Sequence, residues 1–175
     1  MSKVEAWFHF RNRVVMRAQP HARKWWTLVA AGALAVSPWA TAQSAPRPEA
    51  LIKWRQSAYQ VIAWNSGRIK AALAGQYAPL EVQNAAAALA AVANSGLAAL
   101  FAPGTEHGKG WRETTAREEV FNDAGKFRAL TEEFAREANT LARVAAAGDR
   151  NTVNEQFLKV AQTCKSCHNQ FRQTD

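Results

Sequence analysis

The sequence predicts an all-α fold, an antiparallel four-helix bundle. From residue 43 onward, apolar residues recur with the 3.6-residue period of amphipathic helices, and no segment alternates convincingly with the two-residue period of a strand. There are four such periodic segments, and most breaks between them are short and contain glycine or proline. Because short connections join antiparallel neighbours, this pattern is typical of a helix bundle.

The N-terminal segment is predicted to be a cleaved secretory signal peptide. Residues 3–24 carry six lysines and arginines against one acidic residue, Glu5. An apolar run over Trp25–Trp39 follows, and Ala40-Thr41-Ala42 matches the small-residue pattern of a cleavage site. The predicted domains are therefore a signal peptide over residues 1–42 and a bundle over residues 43–175, exported to the periplasm.

A membrane anchor is the alternative for this segment. The apolar stretch Trp25–Ala42 has 18 residues and contains Pro38. A spanning helix needs about 20 apolar residues, so we expect no stable membrane anchor. The basic part is long for a signal peptide, which leads to the hypothesis that translation begins at Met16.

The charge balance of the chain argues against a nucleic-acid-binding protein. The formal net charge is +8, but without residues 1–42 it falls to about +3, and the remaining basic residues are dispersed. Binding to nucleic acid requires a concentrated basic surface. The remaining 133 residues suffice for one domain with a full hydrophobic core.

The first two helices are delimited by prolines and a glycine. Pro48 suits a first helical turn, and the first helix is expected to run from there to about Ala74, before Gly75. Pro79 is expected to open a second, alanine-rich helix that ends near Leu100. The predicted inward positions are Leu51, Arg55, Ala58, Ile62, Asn65, Ile69 and Leu73 in the first helix and Val82, Leu89, Val92, Ala93, Leu97 and Leu100 in the second.

The other two helices follow a loop over residues 102–110, whose proline and three glycines exclude regular structure. The third helix is expected to begin near Asn122 or Asp123, which are good N-caps, and to end before Gly148. Asp149 is predicted to cap the fourth helix. The predicted inward positions are Phe127, Leu130, Phe134, Ala138, Leu141 and Val144 in the third helix and Phe157, Val160, Ala161, Cys164, His168 and Phe171 in the fourth.

The fourth helix contains the segment Cys164-Lys165-Ser166-Cys167-His168, which holds both cysteines of the chain. Cys-x-x-Cys-His is the pattern of covalent c-type haem attachment. Positions i and i+3 of a helix share a face, so Cys164 and Cys167 can bond to one porphyrin while His168 reaches the iron as axial ligand. The predicted cofactor is one haem c per chain, built into the core and attached through Cys164 and Cys167.

Three other sites could use these residues. A thioredoxin-like redox pair needs a βαβ context, and no strand pattern precedes Cys164. A zinc site needs about four ligands; Cys164, Cys167, His168 and His107 could be counted, but no second ligand pair has finger-like spacing. A disulfide between positions i and i+3 of a helix would strain the backbone. Haem attachment is therefore favoured over these alternatives.

Several segments resemble the cytochrome c′ family, the bundle-type c cytochromes whose haem motif lies at the C-terminal end. The resemblance covers essentially the whole chain after residue 42. The similar segments are Ile52–Tyr59 with Gly67-Arg68 in the first helix (Trp54 stands where a tyrosine is common), Phe101 with Pro103–Glu106 in the central loop, and Cys164–Arg172 at the haem-binding end.

The resemblance implies a haem with His168 as the fifth iron ligand and no protein sixth ligand. It also implies binding of nitric oxide and carbon monoxide at ferrous iron, a homodimer, and a role in nitric oxide handling or electron transfer. The haem-contacting residues it implies are Tyr59 over the distal face, Arg55 and Gln56 near the propionates, Phe101 in the central loop, Thr105 and Glu106 along the haem edge, and Arg172 beside the proximal histidine.

The residues themselves also bear on the sixth ligand. Export would remove both methionines, Met1 and Met16, and His107 lies in the glycine-rich loop. Tyr59 could ligate only as a phenolate, whose pKa is near 10, so it is interpreted as a bulky gate, with plain core packing as the alternative. Five-coordinate iron is predicted, in an apolar pocket that admits neutral diatomic gases and disfavours anions.

The polar candidates keep alternative interpretations. Arg55, on an inward stripe, needs a partner such as a propionate, unless it extends to the bundle surface. Gln56, Thr105 and Glu106 could be ordinary loop or surface polarity. Arg172 could interact with a bound ligand or with His168, or simply lie in solvent at a helix C-terminus, where positive charge is favourable.

The sequence favours a gas-binding haem protein over an enzyme. A dedicated electron carrier with an unknown redox partner is the alternative, disfavoured by the lack of a methionine ligand. A peroxidase is less favoured still, because it would need a distal acid or base.

A homodimer is expected to form through the first two helices, whose outward residues are small. These are Ala71, Ala72, Ala87 and Ala88, while Trp54 and Trp64 remain open between core, dimer contact and haem edge.

Overall fold

The computed structural model describes residues 45–173. The predicted signal peptide, its cleavage site and Met16 lie outside the described residues. Within residues 45–173, extended pairing is limited to isolated bridges such as that between Ala116 and Arg172. In the same range, every helix is too short or too polar to cross a membrane.

Four long helices form the antiparallel bundle that the sequence predicts. The helices are α1 (Pro48–Ala74), α2 (Pro79–Ala93), α3 (Glu119–Asn122), α4 (Ala124–Ala147) and α5 (Arg150–Phe171), with a 3₁₀ turn over Leu97–Leu100. Helix α3 is a single short turn, so α1, α2, α4 and α5 make the bundle. The closely packed pairs of long helices are α1 with α2, α2 with α4, and α4 with α5.

The helix boundaries follow from local capping chemistry. Pro48 and Pro79 occupy the first helical positions of α1 and α2, where a missing N–H costs nothing. Asp149 caps α5 by accepting a hydrogen bond from the backbone N–H of Thr152 at 2.7 Å. Gly148 ends α4 with a φ of 80°, a left-handed conformation that glycine adopts without a Cβ clash.

The second helix is shorter than predicted. It ends at Ala93 rather than near Leu100, because Gly96 adopts a left-handed φ of 82° and turns the chain. The chain then continues as the separate 3₁₀ turn, which keeps Leu97 buried. The apolar period continues across this break, because both segments contribute side chains to the same core.

Two smaller features also differ from the prediction. Helix α3 was not predicted, because a four-residue turn is too short to show helical periodicity. Ala161 and His168 were both expected on the inward face of α5, and both are exposed. The neighbouring Val160, by contrast, is buried.

The core divides into a main cluster and a smaller aromatic cluster. The main cluster joins all four bundle helices and contains Ile69, Leu89, Leu141 and Val153, each fully buried. The smaller cluster is centred on Val120, Phe127 and Phe171. Cys164 packs against the main cluster and Cys167 against the smaller one, so the motif lies where the two cores meet.

Candidate haem-binding site

A cavity of about 390 Å³ lies among α1, α4, α5 and the segment between α2 and α4. This volume is within the range of small-molecule and cofactor sites, roughly 300–1,000 Å³. The cavity is lined by Arg55, Gln56, Tyr59, Gln60, Ile62, Ala63 and Ser66 from α1, by Phe127, Leu130, Thr131 and Phe134 from α4, by Thr163, Cys164, Cys167, His168 and Phe171 from α5, and by Phe101, Arg112, Thr114, Thr115, Ala116, Val120 and Arg172 from other segments.

Both cysteines lie on the cavity wall as free thiols, one helical turn apart on α5. Burial raises the pKa of Cys164, and it raises the pKa of Cys167 to about 11, with the neighbouring Cys164 adding to the effect. Redox-active cysteines have a lowered pKa, so this environment argues against the thioredoxin-like alternative.

The zinc alternative also lacks support in the described part of the chain. No group of three or more His, Cys, Asp or Glu side chains between residues 45 and 173 is arranged to hold a metal ion. The one extra ligand that the sequence offered, His107, is exposed, with its Nε2 3.9 Å from a carboxylate oxygen of Glu118.

His168 follows Cys167 on the same wall. Desolvation of its imidazole lowers the pKa of His168, and the positive charge of Arg172 acts in the same direction. A neutral imidazole is the form that coordinates a metal. Arg172 lines the cavity just after the end of α5, and its backbone N–H donates to the carbonyl of His168 at 3.1 Å.

A row of aromatic rings forms one side of the cavity. Tyr59 meets Phe101 edge to face with ring centroids 6.3 Å apart, Phe101 meets Phe127 at 4.7 Å, and Phe127 meets Phe171 at 5.3 Å. Such edge-to-face pairs are favourable beyond the area they bury. The row connects side chains of α1, α4 and α5 along the apolar wall of the cavity.

Arg55 is buried, 4% exposed, and its partners are neutral. It donates to the hydroxyl of Thr105 at 2.8 Å and to the carbonyl of Thr105 at 2.7 Å, and also to the hydroxyl of Thr114 and the carbonyl of Leu100. Burial lowers the pKa of Arg55, against the smaller opposing effects of Tyr59 and Glu106. Its guanidinium also lies over the ring of Phe101, at 4.7 Å from the centroid.

The remaining predicted site residues fall into two groups. Gln56 lines the cavity, and its amide is hydrogen-bonded to the backbone of Trp111 and Arg112. Thr105 is fully buried behind Arg55, and neither Thr105 nor Glu106 is among the cavity-lining residues. The pKa of Glu106 is lowered chiefly by backbone amides at Glu106 and Gly104.

The cavity residues that come from the segment before α3 were not predicted from the sequence. Arg112, Thr114 and Thr115 line the cavity, although they belong to no periodic stripe. The one sequence feature that could have indicated them is their place directly after a glycine-rich loop, since such a loop can approach a helix closely. Such a signal predicts a loop without saying which helix it meets.

The wall as a whole fits a haem. It is largely apolar, as a porphyrin requires, and carries two thiols and one imidazole on adjacent turns of α5. Three arginines and no aspartate or glutamate are among the lining residues, which suits a macrocycle that bears carboxylates.

A helical bundle whose cavity carries a Cys-x-x-Cys-His segment on one helix defines the class of bundle-type c-type haem proteins. Residues 50–172 match the family model described as Cytochrome C′. A cytochrome c′ from Rhodocyclus tenuis is 51% identical over 130 residues, which cover 74% of this chain and 98% of that protein. The chain belongs to the cytochrome c′ family.

Solved structures agree with this assignment. A cytochrome c′ described as having an unusual ligand-controlled dimer dissociation is 40% identical, with a TM-score of 0.72, over 75% of this chain and all of the other. A nitric oxide complex of a mutant cytochrome c prime from Alcaligenes xylosoxidans is 30% identical, with a TM-score of 0.67, over 75% of this chain and 99% of the other. A carbon monoxide-bound variant from Alcaligenes xylosoxidans has a TM-score of 0.65 at 31% identity, over 73% of this chain and 98% of the other.

Proposed function

We propose that this chain is a periplasmic c-type haem protein that binds nitric oxide and carbon monoxide at ferrous iron. A haem held by these residues would supply an iron that can bind a diatomic gas. The observation that carries the proposal is the composition of the cavity wall. His168 is the only histidine among the lining residues, and no methionine or lysine lines the cavity. The wall therefore offers one strong iron ligand rather than two.

Tyr59 is the remaining side chain on the wall that could ligate iron. Burial raises the pKa of Tyr59 well above the ordinary value, against the opposing charge of Arg55. A phenol that holds its proton is a poor ligand for iron. Tyr59 instead presents a bulky ring to the cavity, which supports its interpretation as a gate on the distal side.

The thiols of Cys164 and Cys167 are proposed to form thioether bonds to the haem, with His168 as the fifth iron ligand. Their i and i+3 positions on α5 support this arrangement, because both face the same cavity.

Capture of nitric oxide in the periplasm is the role we propose. Electron exchange with a redox partner is secondary, because a second permanent ligand is missing from the wall.

The wall also argues against peroxidase chemistry. A peroxidase would use a distal acid or base, yet the lining residues include no carboxylate and no histidine besides His168. We therefore propose a binding protein rather than an enzyme. The nitric oxide and carbon monoxide complexes of the Alcaligenes xylosoxidans protein support gas binding as the shared property.

We also propose a homodimer formed through α1 and α2. Trp54, Val61 and Trp64 are 52%, 42% and 64% exposed. With 3.6 residues per turn they share one side of α1, away from the cavity-lining side around Arg55 and Tyr59. A contiguous exposed apolar patch marks an interaction surface. Its occupant is proposed to be a second copy, as in the related dimer whose dissociation is ligand-controlled.

The gas-binding proposal is tested on full-length protein produced in a host that matures c-type cytochromes. Visible spectra of the reduced protein are recorded with and without carbon monoxide and nitric oxide, and haem retention is measured after extraction with acidified organic solvent. We expect clear spectral changes with both gases and haem that stays with the polypeptide. A ferrous spectrum that neither gas changes would refute gas binding. Haem that extracts would refute covalent attachment.

A further inference from the structure

The segment before α3 is fastened to the cavity side of α1 through Gln56. The Oε1 atom of Gln56 accepts hydrogen bonds from the backbone N–H of Trp111 at 2.7 Å and of Arg112 at 3.4 Å. Its Nε2 atom donates to the carbonyl of Arg112 at 2.9 Å. One side-chain amide therefore holds the main chain of Arg112 from both sides.

Other contacts fix the same segment. The indole Nε1 of Trp111 donates to the hydroxyl of Ser57 at 2.9 Å, and the ammonium of Lys53 lies 5.3 Å from the centroid of the indole ring. At Gly110 a Cβ atom would lie 2.5 Å from Oε1 of Gln56 and 2.8 Å from the backbone nitrogen of Lys53. Only glycine permits this approach, so the position of Arg112 follows from the packing before it.

Arg55 is largely committed to holding the fold. Its two terminal nitrogens donate to Thr105, Thr114 and the carbonyl of Leu100, which uses four of the five N–H groups of a guanidinium. At most one donor is left for a haem carboxylate. Arg55, which was predicted to lie near the propionates, therefore mainly connects α1 to two loops.

The surroundings of Arg112 differ from those of the buried, hydrogen-bonded Arg55. It lines the cavity and is exposed, so it lies at the solvent edge. Within residues 45–173 its guanidinium makes no hydrogen bond and no ion pair, and no carboxylate is among the cavity-lining residues. A planar guanidinium with all its donors available is the side chain best suited to bind a carboxylate in bidentate fashion.

We propose that Arg112 binds a carboxylate of the haem at the solvent edge of the cavity and that Gln56 is the positioning residue that holds Arg112 there. This inference rests on the proposed haem site. It assigns to Arg112 a contact that the family resemblance implied for Arg55 and Gln56. A cation paired with the haem carboxylate opposes the positive charge of ferric iron, so it raises the reduction potential of the haem.

The test is a pH titration of the reduction potential of the holoprotein and of two variants, Arg112→Gln and Lys109→Gln. Lys109 belongs to the same loop and is exposed, but it does not line the cavity, so Lys109→Gln removes the same charge without the proposed contact. We expect Arg112→Gln to lower the potential by about 30 mV, a threefold change in a one-electron equilibrium constant, and to move the carboxylate's titration step to higher pH. Equal small shifts in both variants would overturn the proposal.

The positioning role of Gln56 is tested by a double-mutant cycle. Gln56→Ala should lower the potential as Arg112→Gln does, and the double variant should add little, because the two residues act through one contact. Fully additive shifts would overturn the positioning role. Carbon monoxide binding is measured on the parent protein. A gas-binding parent whose potential the substitutions leave unchanged rejects this inference alone, whereas a parent that does not bind carbon monoxide rejects the proposed function.

Discussion

Arg55 and Thr105, 50 positions apart in the chain, are joined by two hydrogen bonds, to the hydroxyl at 2.8 Å and to the carbonyl at 2.7 Å. Thr105 itself donates from its hydroxyl to the carbonyl of Ala102 at 2.8 Å. The loop after the 3₁₀ turn is therefore folded around a buried cation. This joint sets the wall of the cavity, because the Arg55 guanidinium also supports the ring of Phe101.

The first prediction concerns this joint. Arg55→Leu should lower the free energy of unfolding of the holoprotein by about 3 kcal/mol, because the buried acceptors of Thr105 and Leu100 lose a charged donor. Urea denaturation measures the change. Arg128→Leu is the control, since Arg128 is exposed on α4 and should change stability little. Equal stability losses in both variants would contradict the prediction.

The second prediction concerns the close approach of the central loop to α1. Gly110→Ala should cost about 1–3 kcal/mol of stability, because its Cβ would lie 2.5 Å from Oε1 of Gln56 and 2.9 Å from a methyl carbon of Ile52. Gly67→Ala is the matched control. Gly67 lies inside α1 with no neighbour within 4 Å of a built Cβ, so alanine there should stabilise the protein by about 0.5–1 kcal/mol. The same sign of change in both variants would refute this account of Gly110.

The features that could be predicted from the sequence are those set by short-range interactions along the chain. The start of α1 at Pro48 and the cap of α5 at Asp149 were predicted correctly, because proline geometry and capping act over one turn. The predicted end of α2 was wrong, because the apolar period continues past Gly96 to Leu97. Hydrophobic periodicity does not reveal that Gly96, which lies between two buried segments, has a left-handed backbone conformation.

The candidate site shows the same division. The haem motif could be read from the sequence because its three residues lie within one helical turn and a half. The polar partners could not. Arg55 was known to need a partner, but Thr105 and Thr114 are 50 and 59 positions away, and no local pattern links them. Arg112 was missed for the same reason.

The third prediction concerns the pH dependence of the α5 cap. The pKa of Asp149 is lowered by its hydrogen bonds with Thr152. A lowered folded-state pKa means that the cap stabilises the protein above the unfolded-state pKa, about 4, and that this contribution is lost as pH falls through the folded-state pKa. Asp149→Asn should match the parent near neutral pH, since both residues cap well, and should lose less stability in acid. Urea unfolding at neutral and acidic pH measures the difference, and parallel acid losses would refute it.

The fourth prediction tests the proposed dimer surface. Trp64→Glu should shift the protein from dimer to monomer in sedimentation velocity, because it places a charge in the exposed apolar patch of Trp54, Val61 and Trp64. Leu158→Glu is the control. Leu158 is 61% exposed on α5, outside this patch, so the variant should keep the parent's oligomeric state. A parent protein that sediments only as a monomer would reject the dimer, and dissociation in both variants would reject this surface.

The fifth prediction separates the two interpretations of Tyr59, gate and core packing. Tyr59 lines the cavity and contacts Phe101 edge to face. If its ring obstructs the distal side, Tyr59→Ala should raise the rate constant for carbon monoxide binding to the ferrous protein about tenfold, equivalent to ~1.4 kcal/mol removed from the barrier. Flash photolysis or stopped-flow mixing measures this rate.

Tyr59→Phe is the control for this experiment. It keeps the ring and its contact with Phe101 but removes the hydroxyl, so its rate should stay near that of the parent protein if bulk is what matters. A phenylalanine variant as fast as the alanine variant would mean that the hydroxyl, and not the ring, governs access. An alanine variant with the parent's rate and lower stability would mean that Tyr59 serves packing alone, because loss of an aromatic side chain from a packed row destabilises the fold without changing access to the iron.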